Sequence, residues 1–248
     1  MYSKKGEFNR KRSEMYASAM KNAYDARKNE LKLFDDSFRY GKKFFKIVDF
    51  GAGNAFLSNY LADHFSESYV FALDPSLEML TSNINKRIKS INDIEKINNN
   101  SVDAIFSLAA FHHVTNKKMI LRKMHQILKK NGLIFIVDVC DKSVNQRFFD
   151  EIVSKYSITG HDFDFLNKDW MRYLAKESGF VLKKVKQNEI YWEFENEKQA
   201  ILFVKNITGL KMRTDKLRNY ILTNFEIKKS KSQFLLRWPL GYFVLEKK

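Results

Sequence analysis

A doubly wound α/β sheet is the fold this sequence predicts, on three observations. Short apolar runs alternate with amphipathic segments of helical period from residue 46 to residue 187. The run Leu133–Val139 is apolar almost throughout, as a central parallel strand buried on both faces requires. A glycine-rich turn joins the first such run to the first helix, in KIVDFGAGNAFLSNYL over residues 46–61.

Each element follows in order. Residues 8–34 predict a helix, with Met15, Ala19, Tyr24, Leu31 and Phe34 among its apolar positions. Lys46–Phe50 is the first strand and Ala55–Phe65 a helix. Tyr69–Leu73 is a second strand, and Ser76–Lys89 a helix opened by Pro75 and Ser76. Ala104–Leu108 reads as a buried strand. Lys117–Leu128 is a helix that ends before Asn131-Gly132, a C-cap signal. After the strand Leu133–Val139 come a helix over Lys168–Ser178, closed by Gly179, and a strand over Phe180–Gln187. The tail departs from the alternation: Asn196–Thr208 and Thr214–Thr223 predict helices and Gln233–Glu246 strands.

The 248 residues and 44% hydrophobic content suit one large domain with a full core. No apolar run reaches membrane-spanning length, and the basic N-terminus has no apolar segment behind it, so a cytoplasmic protein is expected. Cys140 is the one cysteine, which excludes an internal disulfide, and no Cys/His spacing suggests a metal site. The net charge of +15 lies wholly in the two ends. Residues 1–46 carry +7 and residues 196–248 carry +8, whereas residues 47–195 are neutral. Two readings stay open: solvated helix faces in a lysine-rich chain, or two basic segments flanking one cleft that attracts an acidic partner, nucleic acid included.

The turn after the first strand carries the chemistry. Gly51 and Gly53 allow a tight turn and close backbone approach to a ligand, and free N–H groups at the helix start favour negative charge. Asp49, at the strand end, repels phosphate and attracts ammonium or hydroxyl donors. The pocket suits a ligand with a carboxylate, an amine and a ribose rather than a pyrophosphate.

Asp49-x-Gly51-x-Gly53-x-Ala55 resembles motif I of the class I S-adenosylmethionine (SAM) dependent methyltransferases, with alanine in place of the third glycine. The resemblance implies a Rossmann-like seven-stranded sheet, with an N-terminal helical lid over residues 1–45, a SAM-binding core over 46–190, and a helical insertion and closing strand over 191–248. It implies SAM as cofactor and S-adenosylhomocysteine as product. Asp74, followed by Pro75, ends the second strand 25 residues after Asp49 and would accept both ribose hydroxyls, or cap the next helix, or both. Asp93 would accept the adenine amino group, and Ile94 would lie against its ring. The segment Leu108 to Val114 resembles the family's Leu-His-His-Val stretch, which places Leu108 near the sulfonium. Lys129-Lys130-Asn131-Gly132 is similar to the family's Lys-Pro-Gly-Gly turn.

The acceptor side is less legible. His113 is the first candidate for a general base and His112 the second; the alternative for either is helix capping or packing. Tyr16, Tyr24 and Arg27 are candidates for a lid that closes over the cofactor and grips a carboxylate, or else for an exposed helix face. Asp138, at the end of the fifth strand, and His161, in a loop, are candidates for facing substrate. The closest resemblance is to quinone C-methyltransferases and malonyl-carrier-protein O-methyltransferases, which implies a small-molecule or carrier-bound acyl acceptor, acidic in character. Alternatives are an RNA or protein methyltransferase using the basic ends, or a SAM-binding protein without transfer activity. The Asn/Asp-Pro-Pro-Tyr/Phe motif of adenine and glutamine amino-methyltransferases is absent after the fourth strand, and Cys140 has no Pro-Cys context for cytosine methylation.

Overall fold

The computed structural model describes residues 9–40, 42–76, 79–80, 85–160 and 164–248. The described chain enters through α1 (Arg10–Asn22), then a 3-10 turn (Tyr24–Arg27), α2 (Lys28–Leu31) and a second 3-10 stretch (Lys32–Tyr40). The single helix expected over residues 8–34 is therefore broken. Ala23, at φ −153° and ψ 59°, ends α1. The bend brings Tyr16 and Arg27, eleven residues apart, within one hydrogen bond of 2.9 Å.

β1 (Lys46–Phe50), α3 (Phe56–His64), β2 (Tyr69–Leu73) and β3 (Ile88–Ile91) follow. The helix expected over Ser76–Lys89 cannot reach Lys89, because Ile88 and Lys89 pair with Val70 and Phe71 as an edge strand. β4 (Val102–Leu108), α4 (Lys117–Ile127) and β5 (Leu128–Asp138) come next. Asn131-Gly132 does not cap a helix here but interrupts β5. Leu128 already pairs with Val102, and pairing resumes at Leu133 after a register break. A Cβ on Gly132 would lie 2.9 Å from the Lys129 carbonyl, which explains the glycine.

One helical stretch was not expected. α5 (Val144–Phe148) runs through a π-helical turn (Phe149–Val153) into α6 (Ser154–Tyr156). After α7 (Lys168–Glu177) and β6 (Phe180–Asn188), the tail adds β7 (Tyr191–Phe194), α8 (Glu197–Ile207), α9 (Thr214–Asn224), β8 (Ile227–Lys229), β9 (Phe234–Arg237) and β10 (Leu240–Lys247). The expected helical insertion thus carries its own three-stranded antiparallel sheet, in the order β7-β9-β8.

The main sheet has the order β3-β2-β1-β4-β5-β10-β6. The first five are parallel, and β10 runs antiparallel between β5 and β6. Alternate residues feed two cores. Ile47, Phe106 and Phe135 face the N-terminal segment and the insertion. Val48, Ile105, Ile134 and Ile136 face α4 and α7. Phe106 and Phe135 are fully buried and stack at 4.7 Å, so each contributes about 1.5–3 kcal/mol through burial. Asparagine side chains cap α1, α4, α7 and α8 through Asn9, Asn116, Asn167 and Asn196. No described helix is long and apolar enough to cross a membrane.

Candidate active site

The carboxyl ends of β1, β2, β4 and β5 open into one cavity of about 170 Å³, where ligands bind in sheets of this kind. Its floor is the turn after β1. Gly51 takes φ +75°, and a Cβ there would sit 2.2 Å from that of Ala110, so only glycine fits. Ala55, at the third small position, also lies in the left-handed region, at φ 63°.

Asp49 is fully buried. Its Oδ2 accepts the Ser58 hydroxyl at 2.6 Å, while Oδ1 has no hydrogen-bond partner. Burial, helped by nearby Asp74 and opposed by Ser58, pushes its carboxyl up to about 7. Asp74 accepts N–H bonds from Gly53 and Ser76, both at 2.9 Å. Burial raises its carboxyl above the usual range against those two bonds. Asp74, Pro75, Gly51, Gly53 and Leu108 all line the cavity.

Asp93 and Ile94 do not. The Asp93 carboxylate accepts the Glu95 N–H at 3.1 Å, and Ile94 is buried in the second core.

His112 lines the cavity from the end of β4. Asp138, at the end of β5, accepts from its Nδ1 at 2.6 Å and from its main-chain N–H at 2.9 Å. Asp138 Oδ1 also accepts the Val139 N–H at 2.7 Å. Asp138, expected to face substrate, does not line the cavity: it is fully buried and bonded to His112. Burial pushes its carboxyl up, but the adjacent His112 imidazole and the hydrogen bonds from His112 and Val139 outweigh that and hold it below the usual range. His113 also lines the cavity, its ring 4.0 Å from that of His112.

The other wall comes from the N-terminal segment and the insertion. Tyr16, Arg27 and Glu30 line it, but Tyr24 does not; its ring lies half-exposed, edge-on to Phe56. The Arg27 fork does not present itself to a carboxylate ligand. Nε and Nη2 donate to Glu30 Oε2 at 2.9 and 2.6 Å, and Nη1 donates to the Tyr16 hydroxyl. The Trp192 indole donates to the other Glu30 oxygen at 2.5 Å. Trp192 stacks on Trp238 at 3.9 Å, and both line the cavity with Phe149. His161 lies outside the described residues.

Arg12, Glu30, Phe149, Trp192 and Trp238 are cavity residues that sequence reasoning missed. Two of the three tryptophans in the chain are among them, a signal that was available. Among the described residues, no group of His, Cys, Asp and Glu could hold a metal ion.

Residues 48–136 match the family model described as a methyltransferase domain. An uncharacterized methyltransferase of Bacillus mycoides strain KBAB4 is 29% identical over 175 residues, which cover 64% of this chain and 80% of the relative. The BH2331 protein of Bacillus halodurans C-125, a candidate methyltransferase, superposes with a TM-score of 0.60 at 18% identity, over 83% of this chain and 94% of that one. Haemonchus contortus phosphoethanolamine N-methyltransferase 2, solved in complex with S-adenosyl-L-methionine, gives 0.51 at 14% identity, over 83% of this chain and 49% of that one. Motif, sheet order and these likenesses converge on a class I S-adenosylmethionine-dependent methyltransferase, with the methyltransferase domain model matched over residues 48–136 of this chain.

Proposed function

We propose that this enzyme methylates a small molecule held between the histidine pair and the aromatic wall, and that His112 removes the acceptor's proton. One observation carries the reading. One cavity is lined by Asp49, Asp74 and Leu108 and also by His112, Phe149, Trp192 and Trp238. Those three aromatic rings are buried. Its arginine and lysine lining among the described residues is Arg12, which donates to the Asn206 and Ile207 carbonyls, and Arg27, which is engaged by Glu30 and Tyr16. Both guanidinium groups of the basic N-terminal segment that reach the cavity are engaged within the chain, and no described lysine lines it, which favours a small acceptor over RNA.

The residues fit the cofactor that the family uses. The buried, unpartnered Oδ1 of Asp49 suits an ammonium donor. Asp74 keeps lone pairs for two ribose hydroxyls beyond its two backbone bonds. Gly51 and Gly53 let the turn approach the amino-acid end closely, and Leu108 lines the methyl side. Asp93 and Ile94, which follow the carboxyl end of β3, are the proposed adenine contacts. SAM, when bound, supplies a methyl group on sulfur with a neutral thioether as leaving group. The chain's task is then alignment and proton removal. Asp138 fixes the ring of His112, which makes His112 a better base candidate than His113. The Arg27–Glu30 pair, Tyr16 and Trp192 form the proposed lid.

Calorimetry with SAM tests the cofactor site, and no binding at millimolar concentration would refute it. A screen of small hydroxyl, amine and carboxyl compounds for S-adenosylhomocysteine release tests the acceptor class. His112→Gln should abolish release while keeping SAM affinity.

A further inference from the structure

Behind the His112–Asp138 pair lies a buried lysine that the site as described does not use. Lys117, the first residue of α4, is 4% exposed. Its ammonium donates to the carbonyls of His112 at 3.4 Å and Val114 at 2.8 Å. It therefore grips the short 3-10 turn, Phe111–His113, that carries the histidine pair. Its remaining surroundings are the ring of Trp170, 5.2 Å away, and the fields of Asp138 and Asp164.

We propose that Lys117 is a positioning residue whose charge, held against the backbone of the turn that carries His112, keeps the His112 ring in its neutral, proton-accepting form. This rests on the reading of His112 as the base. The physics is a matter of sign. A buried carboxylate hydrogen-bonded to an imidazole favours the imidazolium, which cannot accept a proton. A second cation bonded to the main chain of the same histidine opposes that charging, and burial strengthens the opposition because screening is weak. Burial also lowers the proton affinity of Lys117 itself, while Asp138 and Asp164 act to keep it charged. Charged and titratable groups near His112 among the described residues include Asp138 from β5, His113 from its own turn, Lys117 from α4, and Asp164, next to the Phe165 ring that packs on His112. Across the cavity stand Arg12 and the Arg27–Glu30 pair.

The titration that tests this needs no acceptor. Protein labelled on histidine carbons is titrated by NMR from pH 4 to pH 10, with the His112 ring signal assigned by its loss in His112→Gln. In Lys117→Met the protonation midpoint of His112 should rise by about one pH unit, a tenfold change in proton affinity. In Lys117→Arg, which keeps the charge, it should stay near the wild-type value. Lys117→Gln serves if the methionine variant does not fold. An unmoved midpoint in the neutral variants overturns the proposal and reduces Lys117 to a structural clamp. A shifted midpoint together with full transfer activity in His112→Gln leaves the effect of Lys117 on His112 standing and removes the base reading instead.

Discussion

Asp138 holds His112 at two points, ring and main chain, at 2.6 and 2.9 Å. Asp138 ends β5 and His112 lies in the 3-10 turn that follows the adjacent β4, so a strand end and a short turn together set the imidazole's orientation. The contact to Asp138 is made through Nδ1, so proton acceptance is assigned to the other ring nitrogen, Nε2. Asp138→Asn keeps the shape but removes the charge. Turnover in the S-adenosylhomocysteine release assay should fall by about 100-fold or more, the scale of general-base catalysis, with SAM affinity unchanged. Turnover near the wild-type rate would show that the pair is structural.

Asp74 should dominate cofactor affinity. Its carboxylate is oriented by two backbone N–H groups before any ligand arrives, so little is lost in ordering it. Asp74→Ala removes two charge-assisted hydrogen bonds to the ribose. By calorimetry SAM should bind about 100-fold more weakly, roughly 3 kcal/mol. Asp74→Asn, which retains one acceptor oxygen, should lie between the two.

The cofactor half of the cavity was legible in the sequence because it is local. Strand, turn and helix are contiguous from Lys46 to His64, and Gly51 and Asp74 are required by backbone geometry that spacing reveals. The acceptor half was not. Glu30 meets Trp192 across 162 positions, and His112 meets Asp138 across 26. No periodicity encodes such pairs. Asp138 read as a substrate contact because its position at a strand end is known from sequence, whereas the direction of its carboxylate is not. Phe149 was missed for a related reason: a π-turn changes which helix positions share a face.

Asp49 trades stability for its poised oxygen. Its carboxyl is pushed up to about 7 in the folded chain, against an ordinary value near 4 when unfolded. The unfolded chain therefore loses this proton first as pH rises, and ionisation works against folding between roughly pH 4 and pH 7. Below that window the penalty is absent, and above it the penalty is complete. Asp49→Asn should raise the Tm of the ligand-free protein at pH 8 and change it less at pH 5. It should weaken SAM binding at both. A variant no more stable than wild type at pH 8 would mean that Oδ1 is better solvated than its burial implies.

Ala55 marks a second local conflict, and a correctable one. It initiates α3 at φ 63°, where a Cβ crowds its own backbone and costs about 1–2 kcal/mol. The family pattern has glycine at this position. Glycine relieves the crowding but gives the unfolded chain more freedom to lose, about 0.5–1 kcal/mol in the other direction. The difference favours Ala55→Gly by roughly 0.5–1 kcal/mol. In a chain of this length that raises Tm by about 1–4 °C. Scanning calorimetry of the ligand-free variant reads it directly, and Ala55→Val, which adds β-branching at the same φ, should move Tm the opposite way by more. SAM affinity should hold in the glycine variant, because Ala55 does not line the cavity. A glycine variant that melts lower than wild type would mean that the Cβ of Ala55, 3% exposed against the sheet, contributes more packing than its backbone strain removes.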